Sequence, residues 1–205
     1  MSACSNYTDD GEYKRVYTTV PTECFKGYRE SVKEIAGPRF AVEDNEDMYQ
    51  TATTSRMGNT EHSRCDILFF PRRNNEADKE VDITDSEVSL HLWVEYHMSH
   101  EGVNAPPDED ASEMLAREVK NVDEYERSVL KVGDEAFSLR GYQPLRGDDR
   151  VPLGRAAARL DNMVVAADVT GAFGDPEVVK SYDLGDLEER AVKLLYATVE
   201  HLEPA

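Results

Sequence analysis

The clearest pattern in the chain is a strict alternation of apolar and polar side chains over residues 88–98. A period of two is typical of a β-strand with one buried face, most often in an antiparallel sheet. The pattern therefore predicts a central antiparallel strand. One face of this strand carries Val88, Leu90, Leu92, Val94, Tyr96 and Met98, and the other carries Ser89, His91, Trp93, Glu95 and His97.

Shorter apolar runs predict further strands, separated by turn residues. Two of them precede the central strand, at residues 51–57 and 64–70, and three follow it, at residues 136–140, 156–160 and 163–170. Residues 128–132 are predicted as a short strand or as the end of a helical region. The turns are predicted at Gly58-Asn59, Gly133-Asp134-Glu135 and Asp161-Asn162, and longer loops at residues 74–82, 141–154 and 171–185.

Three segments show the spacing of an amphipathic helix. The first begins at Cys24, carries Phe25, Tyr28, Val32 and Ile35, and ends at Gly37-Pro38; the second carries Ala111, Met114, Leu115 and Val119; the third carries Leu187, Ala191, Leu194, Leu195, Thr198 and Leu202. The sequence thus predicts an α+β fold, with an N-terminal helix and a C-terminal amphipathic helix packed on an antiparallel β-sheet. We expect a flexible stalk over residues 1–20 and a single domain over residues 21–205.

The first four residues, Met1-Ser2-Ala3-Cys4, resemble the end of a bacterial lipoprotein signal. In such a signal the cysteine thiol receives a diacylglycerol and becomes the mature N-terminus. The basic and apolar part of a signal is not among these residues, so we expect a truncated signal whose leader lies upstream. The alternative is that Cys4 is a free thiol in a frayed terminus.

The chain has three cysteines, Cys4, Cys24 and Cys65. If Cys4 carries lipid, the other two are left to form a disulfide between the N-terminal helical segment and the sheet. Closing a loop of this length stabilises by roughly 3.5–4 kcal/mol in the chain-entropy model. The alternative is two buried thiols in a cytosolic protein. The spacing does not indicate a zinc site.

The acidic composition limits the partners. A net charge of -19 with a pI near 4.6 repels nucleic acid and anionic lipid head groups. We therefore expect no nucleic-acid partner, and a lipid is the expected contact with the membrane. The charge fits equally a domain tethered near an anionic membrane, a protein that binds cationic ligands and a halophilic origin.

A family resemblance runs from about Val20 to Leu202. It is carried by the two cysteines, by residues 132–137 (Val-Gly-Asp-Glu-Ala-Phe), by residues 159–165 (Arg-Leu-Asp-Asn-Met-Val-Val) and by the C-terminal amphipathic helix. The chain resembles actinobacterial envelope lipoproteins built on a domain of unknown function, similar in plan to the extracellular sensor domain of actinobacterial Ser/Thr kinases. The resemblance implies an exported, lipid-anchored binding or sensory module on the outer face of the cell membrane.

The polar face of the central strand is the predicted ligand-binding site, with Trp93 as the apolar floor of a groove between His91, Glu95 and His97. Alternate residues on one strand lie about 6.6–7 Å apart, so His97 and Glu95 reach one metal ion only with further ligands. We therefore predict no metal, no cofactor and no catalytic residue. The expected function is binding of a small ligand or an envelope protein, without catalysis.

Two other classes remain open at this point. One is a metal-dependent or acid/base envelope hydrolase that uses the same histidines with Asp134 or Glu135. The other is a structural spacer or assembly factor, which is expected to carry a large apolar surface patch.

Overall fold

The computed structural model describes residues 17–38, 40–41, 53–71, 89–100, 107–118, 122–144, 150–172 and 183–202. Within these ranges it contains three helices and eight strands. The helices are α1 (Arg29–Ala36), α2 (Pro107–Arg117) and α3 (Leu184–Glu200). The strands are β1 (Phe40–Ala41), β2 (Thr53–Met57), β3 (Thr60–Pro71), β4 (Ser89–Ser99), β5 (Asp123–Val129), β6 (Glu135–Pro144), β7 (Arg150–Leu160) and β8 (Met163–Ala172).

All strand pairs in the sheet are antiparallel, in the order β1-β3-β4-β8-β7-β6-β5, with β2 paired to a separate stretch of β3. The predicted central strand is confirmed as β4, which lies between β3 and β8. Its alternating pattern holds as well, because Leu90, Leu92, Val94, Tyr96 and Met98 are all buried in one apolar cluster.

Helices cover both faces of the sheet. On the face that carries this cluster, α3 packs across β6, β7 and β8, and α1 packs against α3 and β1. The apolar stripe predicted for the C-terminal helix is buried there as Leu187, Ala191, Leu194, Leu195 and Thr198. The α+β architecture is therefore confirmed. The middle helix, α2, packs on the opposite face against β4, β7 and β8.

The predicted first helix starts too early. Residues 24–28 form turns, and α1 begins only at Arg29. Phe25 has a φ of 54° and Gly27 a φ of 82°, which are left-handed conformations that no α-helix accommodates. The apolar spacing from Phe25 onward reflects burial of both the turn and the helix in one cluster.

The predicted loop over residues 141–154 is also wrong at both ends. Strand β6 continues to Pro144 and β7 begins at Arg150. Gly154 lies inside β7, where a Cβ atom would overlap the backbone of Leu187 in α3. The glycine thus permits close packing of helix on sheet, where the sequence suggested a turn. The segment predicted at 128–132 is the end of β5, displaced toward the N-terminus.

The disulfide between Cys24 and Cys65 is present, with a Cα–Cα distance of 5.3 Å. Both cysteines are buried in the cluster under α1 and α3. The bridge joins the turn before α1, not the helix itself, to β3.

The last residues of the predicted stalk contact the domain. Tyr17 exchanges backbone hydrogen bonds with the side chain of Asn162, and Val20 is buried. Cys4 lies outside the described residues, as do Val88, Val119 and the predicted loop at residues 74–82. Among the helices that the structure describes, none has the length and apolar character needed to cross a membrane.

Candidate functional site

The polar side of β4 continues onto its neighbours through the strand register. His97 faces His62 of β3, Glu95 faces Arg64, and Trp93 lies between Asp66 of β3 and Asp168 of β8. Arg155 of β7 follows Asp168 in the same row. We call this surface the histidine face: His62, Arg64, Asp66, His91, Trp93, Glu95, His97, Arg155 and Asp168.

Trp93 was predicted as the apolar floor of a groove, but only 4% of its surface is exposed. Its ring belongs to a second apolar cluster with Ala111, Met114 and Leu115 of α2. The Arg64 guanidinium lies 5.0 Å from the ring centroid on one side, and the His91 ring centroid is 4.7 Å away. The indole is therefore buried beneath the Arg64 guanidinium and the His91 ring.

The other three predicted ligand-binding side chains remain accessible. His91, Glu95 and His97 retain 26%, 19% and 23% of their side-chain surface. The structure thus keeps them together at the surface, above a tryptophan that solvent hardly reaches. Their role in binding stays a prediction.

A buried ion network lies at one end of this face. Arg155 donates two hydrogen bonds to the carboxylate of Asp168, at 2.6 and 2.8 Å, and its third nitrogen lies 3.0 Å from Glu118 Oε2. Burial opposes the charge on Arg155, but Asp168 and Glu118 outweigh it and raise the pKa of the guanidinium. Because arginine stays protonated, Asp168 serves as its buried counter-ion.

A second network, partly exposed, joins Arg64, Asp66 and His91. Arg64 Nη2 lies 2.8 Å from Asp66 Oδ1, and His91 Nε2 lies 2.9 Å from the same oxygen. Partial burial alone would raise the pKa of Asp66, but hydrogen bonds from His91 and Arg64 outweigh it and lower the pKa to about 2. Arg64 also donates to Glu95 Oε1 at 3.0 Å.

His62, Glu95 and His97 form a compact cluster in the middle of the surface. One ring nitrogen of each histidine and one carboxylate oxygen of Glu95 all lie within 4.8 Å of one another. His97 Nε2 is 3.4 Å from Glu95 Oε2 and 3.7 Å from Glu118 Oε1. The centroids of the His62 and His97 rings lie 4.6 Å apart. Burial lowers the pKa of His62, and the neighbouring His97 lowers it further.

Sequence reasoning missed His62 and Glu118. His62, Arg64 and Asp66 do alternate along β3, and that pattern was a usable signal for their common face. The signal did not give the register, which decides whether His62 faces His97 or slips by two residues. Glu118 follows α2, and its place depends on how that helix docks.

The acidic pair of the predicted hydrolase lies elsewhere. Glu135 is separated from His97 by three strand spacings, or roughly 14 Å. The intervening cross-strand partners are Arg159 on β7 and Val164 on β8. Asp134 Oδ2 accepts a hydrogen bond from the backbone nitrogen of Asp161 at 2.7 Å. Asp134 therefore links two turns, and the structure does not bring this acidic pair to the histidines.

A concavity of about 600 Å³ opens on the other side of the sheet, beside the start of the described chain. Tyr28, Tyr96 and Thr198 line it, and their hydroxyls are joined by hydrogen bonds of 3.4 Å (Tyr28 to Tyr96) and 3.1 Å (Tyr28 to Thr198). Burial raises the pKa of Tyr96, so its hydroxyl stays protonated. The sequence pattern did not indicate this concavity.

Comparisons of the chain with protein-family profiles, with curated proteins and with solved structures gave no match. The resemblance to actinobacterial envelope lipoproteins therefore stays a prediction. Function has to be inferred from the chemistry of the described residues.

Proposed function

We propose that the protein is a lipid-anchored module on the outer face of a bacterial cell membrane, which binds a small ligand or another envelope protein without catalysing a reaction. The observation that carries the location is the disulfide between Cys24 and Cys65. Such bonds persist in oxidising compartments and are rare in the reducing cytosol.

The anchor is assigned to Cys4. The disulfide uses the other two of the three cysteines, which leaves the thiol that follows Met1-Ser2-Ala3 as the unpaired one. The net charge of -19 is compatible with a domain that stays in water beside an anionic bilayer. The lipid then supplies the membrane contact.

Binding is assigned to the histidine face. It places His91, Glu95 and His97 at the surface of a rigid sheet, and Trp93 supports them from below. Binding in place of catalysis is proposed because Asp66 and Glu95 are paired with Arg64 and Asp168 is paired with Arg155, so each of these carboxylates already has a cationic partner.

The anchor is tested by expressing the gene with its native upstream sequence in a bacterial host that is fed labelled palmitate. We expect the label on the wild-type protein and in the membrane fraction, and we expect Cys4→Ser to lose both. Cys24→Ser is the matched control, because it also removes one thiol but leaves the lipid site in place. A wild-type protein without label, or a label that survives in Cys4→Ser, contradicts the proposal.

The second candidate is a metal-dependent envelope hydrolase, and the observation that favours it is the cluster of His62, Glu95 and His97. A version that also needs Asp134 or Glu135 is disfavoured by their distance from the histidines. Ester hydrolysis by the Zn²⁺-treated protein that exceeds hydrolysis by His97→Gln would favour this candidate over a binding role.

A further inference from the structure

We infer that His62, Glu95 and His97 bind a divalent transition-metal ion, with Zn²⁺ as the representative of its class. This inference names a ligand for the histidine face, so it rests on the proposal that this face is a binding surface. It is independent of where the protein resides.

The ligand set is selective by its chemistry. Imidazole nitrogens bind Zn²⁺ and its transition-metal neighbours, whereas Ca²⁺ and Mg²⁺ prefer sites made of oxygen atoms. Two histidines and one glutamate are three protein ligands, which leave a fourth position of a tetrahedron for water or another group. Chemistry therefore points to zinc-like ions.

The distances require only small adjustments. Bonds of about 2.0–2.2 Å from a tetrahedral ion place its ligand atoms roughly 3.3–3.6 Å apart. His97 Nε2 and Glu95 Oε2 are already 3.4 Å apart. The full set lies within 4.8 Å, so the remaining atoms need to move by about 1.5 Å at most, which side-chain torsions provide.

The backbone holds the three residues in place. His62 and His97 are direct cross-strand partners in the β3–β4 ladder, and Glu95 lies two residues before His97 on the same face. Cross-strand partners have Cβ atoms only about 4.5–5.5 Å apart. This pairing provides the further ligand that β4 alone lacks.

Neighbouring charges orient the set. Arg64 donates to Glu95 Oε1 at 3.0 Å, so that Oε2 is the oxygen that lies beside His97. Glu118 Oε1 lies 3.7 Å from His97 Nε2 and is a further carboxylate neighbour of that imidazole. Arginine and carboxylate partners of this kind are typical of the residues that position metal ligands.

One ring nitrogen supports the assignment independently. His62 Nε2 is buried and has no hydrogen-bond partner among the described residues. A buried polar atom without a partner costs free energy, and the exceptions in native structures commonly mark an ion or water site. The partial exposure of Glu95 and His97 leaves a route for an ion to enter.

The test is calorimetric titration of the metal-free full chain with Zn²⁺, together with its melting temperature with and without the ion. We expect one Zn²⁺ per chain and a rise in melting temperature. His62→Gln and His97→Gln keep the size of the side chain and should each weaken binding at least about 100-fold, beyond what loss of an outer partner costs. Alanine at both positions is the second pair of variants.

His100→Gln is the matched control, because His100 directly follows β4 but bonds to Glu61, outside the histidine face and the cluster. It should bind Zn²⁺ as the wild type does. The inference is overturned if the wild type binds no stoichiometric Zn²⁺, if the His62 and His97 variants bind it unchanged, or if His100→Gln loses binding equally. The two proposals can fail separately. Failure of Zn²⁺ binding would not change the expected lipid labelling at Cys4, and failure of that labelling would not change the expected Zn²⁺ binding.

Discussion

At the scale of single residues, Asp66 shows how strongly the fold changes a side chain. Its carboxylate lies between Arg64 and His91, both within 3 Å, and its pKa falls to about 2. A carboxyl whose pKa is lower in the folded than in the unfolded chain stabilises the protein while it is ionised. This stabilisation is complete above the unfolded value of about 3.9 and is lost as pH falls toward 2.

Replacement of Asp66 by Asn should therefore cost about 1 kcal/mol of unfolding free energy at neutral pH. This value is discounted from the pKa shift because 44% of the side chain is exposed and water screens the pair. The difference from wild type should shrink toward zero between pH 4 and pH 2, measured by denaturant unfolding. Glu189→Gln, which removes an exposed carboxylate on α3, should show little change. A difference for Asp66→Asn that stays constant with pH would contradict the assignment.

Single residues also show how far the sequence predicts the site. His91, Glu95 and His97 could be placed on one face because a period of two is local information. The burial of Trp93 could not be predicted, because α2 covers the ring from a distant part of the chain. The pairing of His62 with His97 could not be predicted either. A shift of β3 by two residues relative to β4 keeps the same side chains on the same face, so the sequence pattern does not distinguish the two registers.

At the scale of elements, the contact between β7 and α3 depends on small residues. Gly154 meets the backbone of Leu187, and Ala156 and Ala158 are buried in the same apolar cluster as the stripe of α3. Small side chains let the helix lie close to the sheet. Gly154 was predicted to lie in a loop because local propensity carries no information about a helix that packs on the strand from 30 residues downstream.

Gly154→Ala should destabilise the protein by about 2 kcal/mol or more, because the added methyl group has to displace the backbone of α3. Thermal and urea unfolding measure this change. Gly185→Ala is the control on the other side of this contact, in the first turn of α3, where the atom nearest to the new methyl group is a side-chain oxygen of Asp183 at 3.2 Å. It should have little effect or stabilise slightly. Equal effects of the two substitutions would show that close packing at Gly154 is not the cause.

The helices and strands likewise divide into those that local sequence patterns predict and those that depend on packing against distant parts of the chain. Strand β4 and the stripe of α3 were predictable because each carries its periodicity over ten or more residues. Strand β8 was predictable as a continuous apolar run that follows a turn. The start of α1 was not, since the turn at residues 24–28 buries apolar side chains at spacings that imitate a helix.

At the scale of the whole molecule, the disulfide joins the turn before α1 to the sheet over a sequence separation of 41 residues. A crosslink that closes a loop of this length lowers the conformational entropy of the unfolded chain. In the chain-entropy model this stabilises the folded protein by about 4 kcal/mol. The predicted pair of cysteines thus follows from counting thiols, whereas its position beneath α1 and α3 follows from tertiary packing.

Substitution of both Cys24 and Cys65 by Ala should lower the unfolding free energy by up to about 4 kcal/mol, measured by urea unfolding. Reductant should lower the unfolding free energy of the wild type by a similar amount. The double variant is the control, because reductant should leave its unfolding free energy unchanged. If the wild type unfolds identically with and without reductant, the bond is absent in solution.

The position of Cys24 has a mechanical consequence. It precedes α1 in sequence, and its partner lies within a strand that is paired along its length to β4. Tension applied to the chain upstream of Cys24, as on a tethered surface protein, can peel away the hydrogen bonds between Tyr17 and Asn162. At Cys24 the load passes through covalent bonds into β3, so α1 does not carry it.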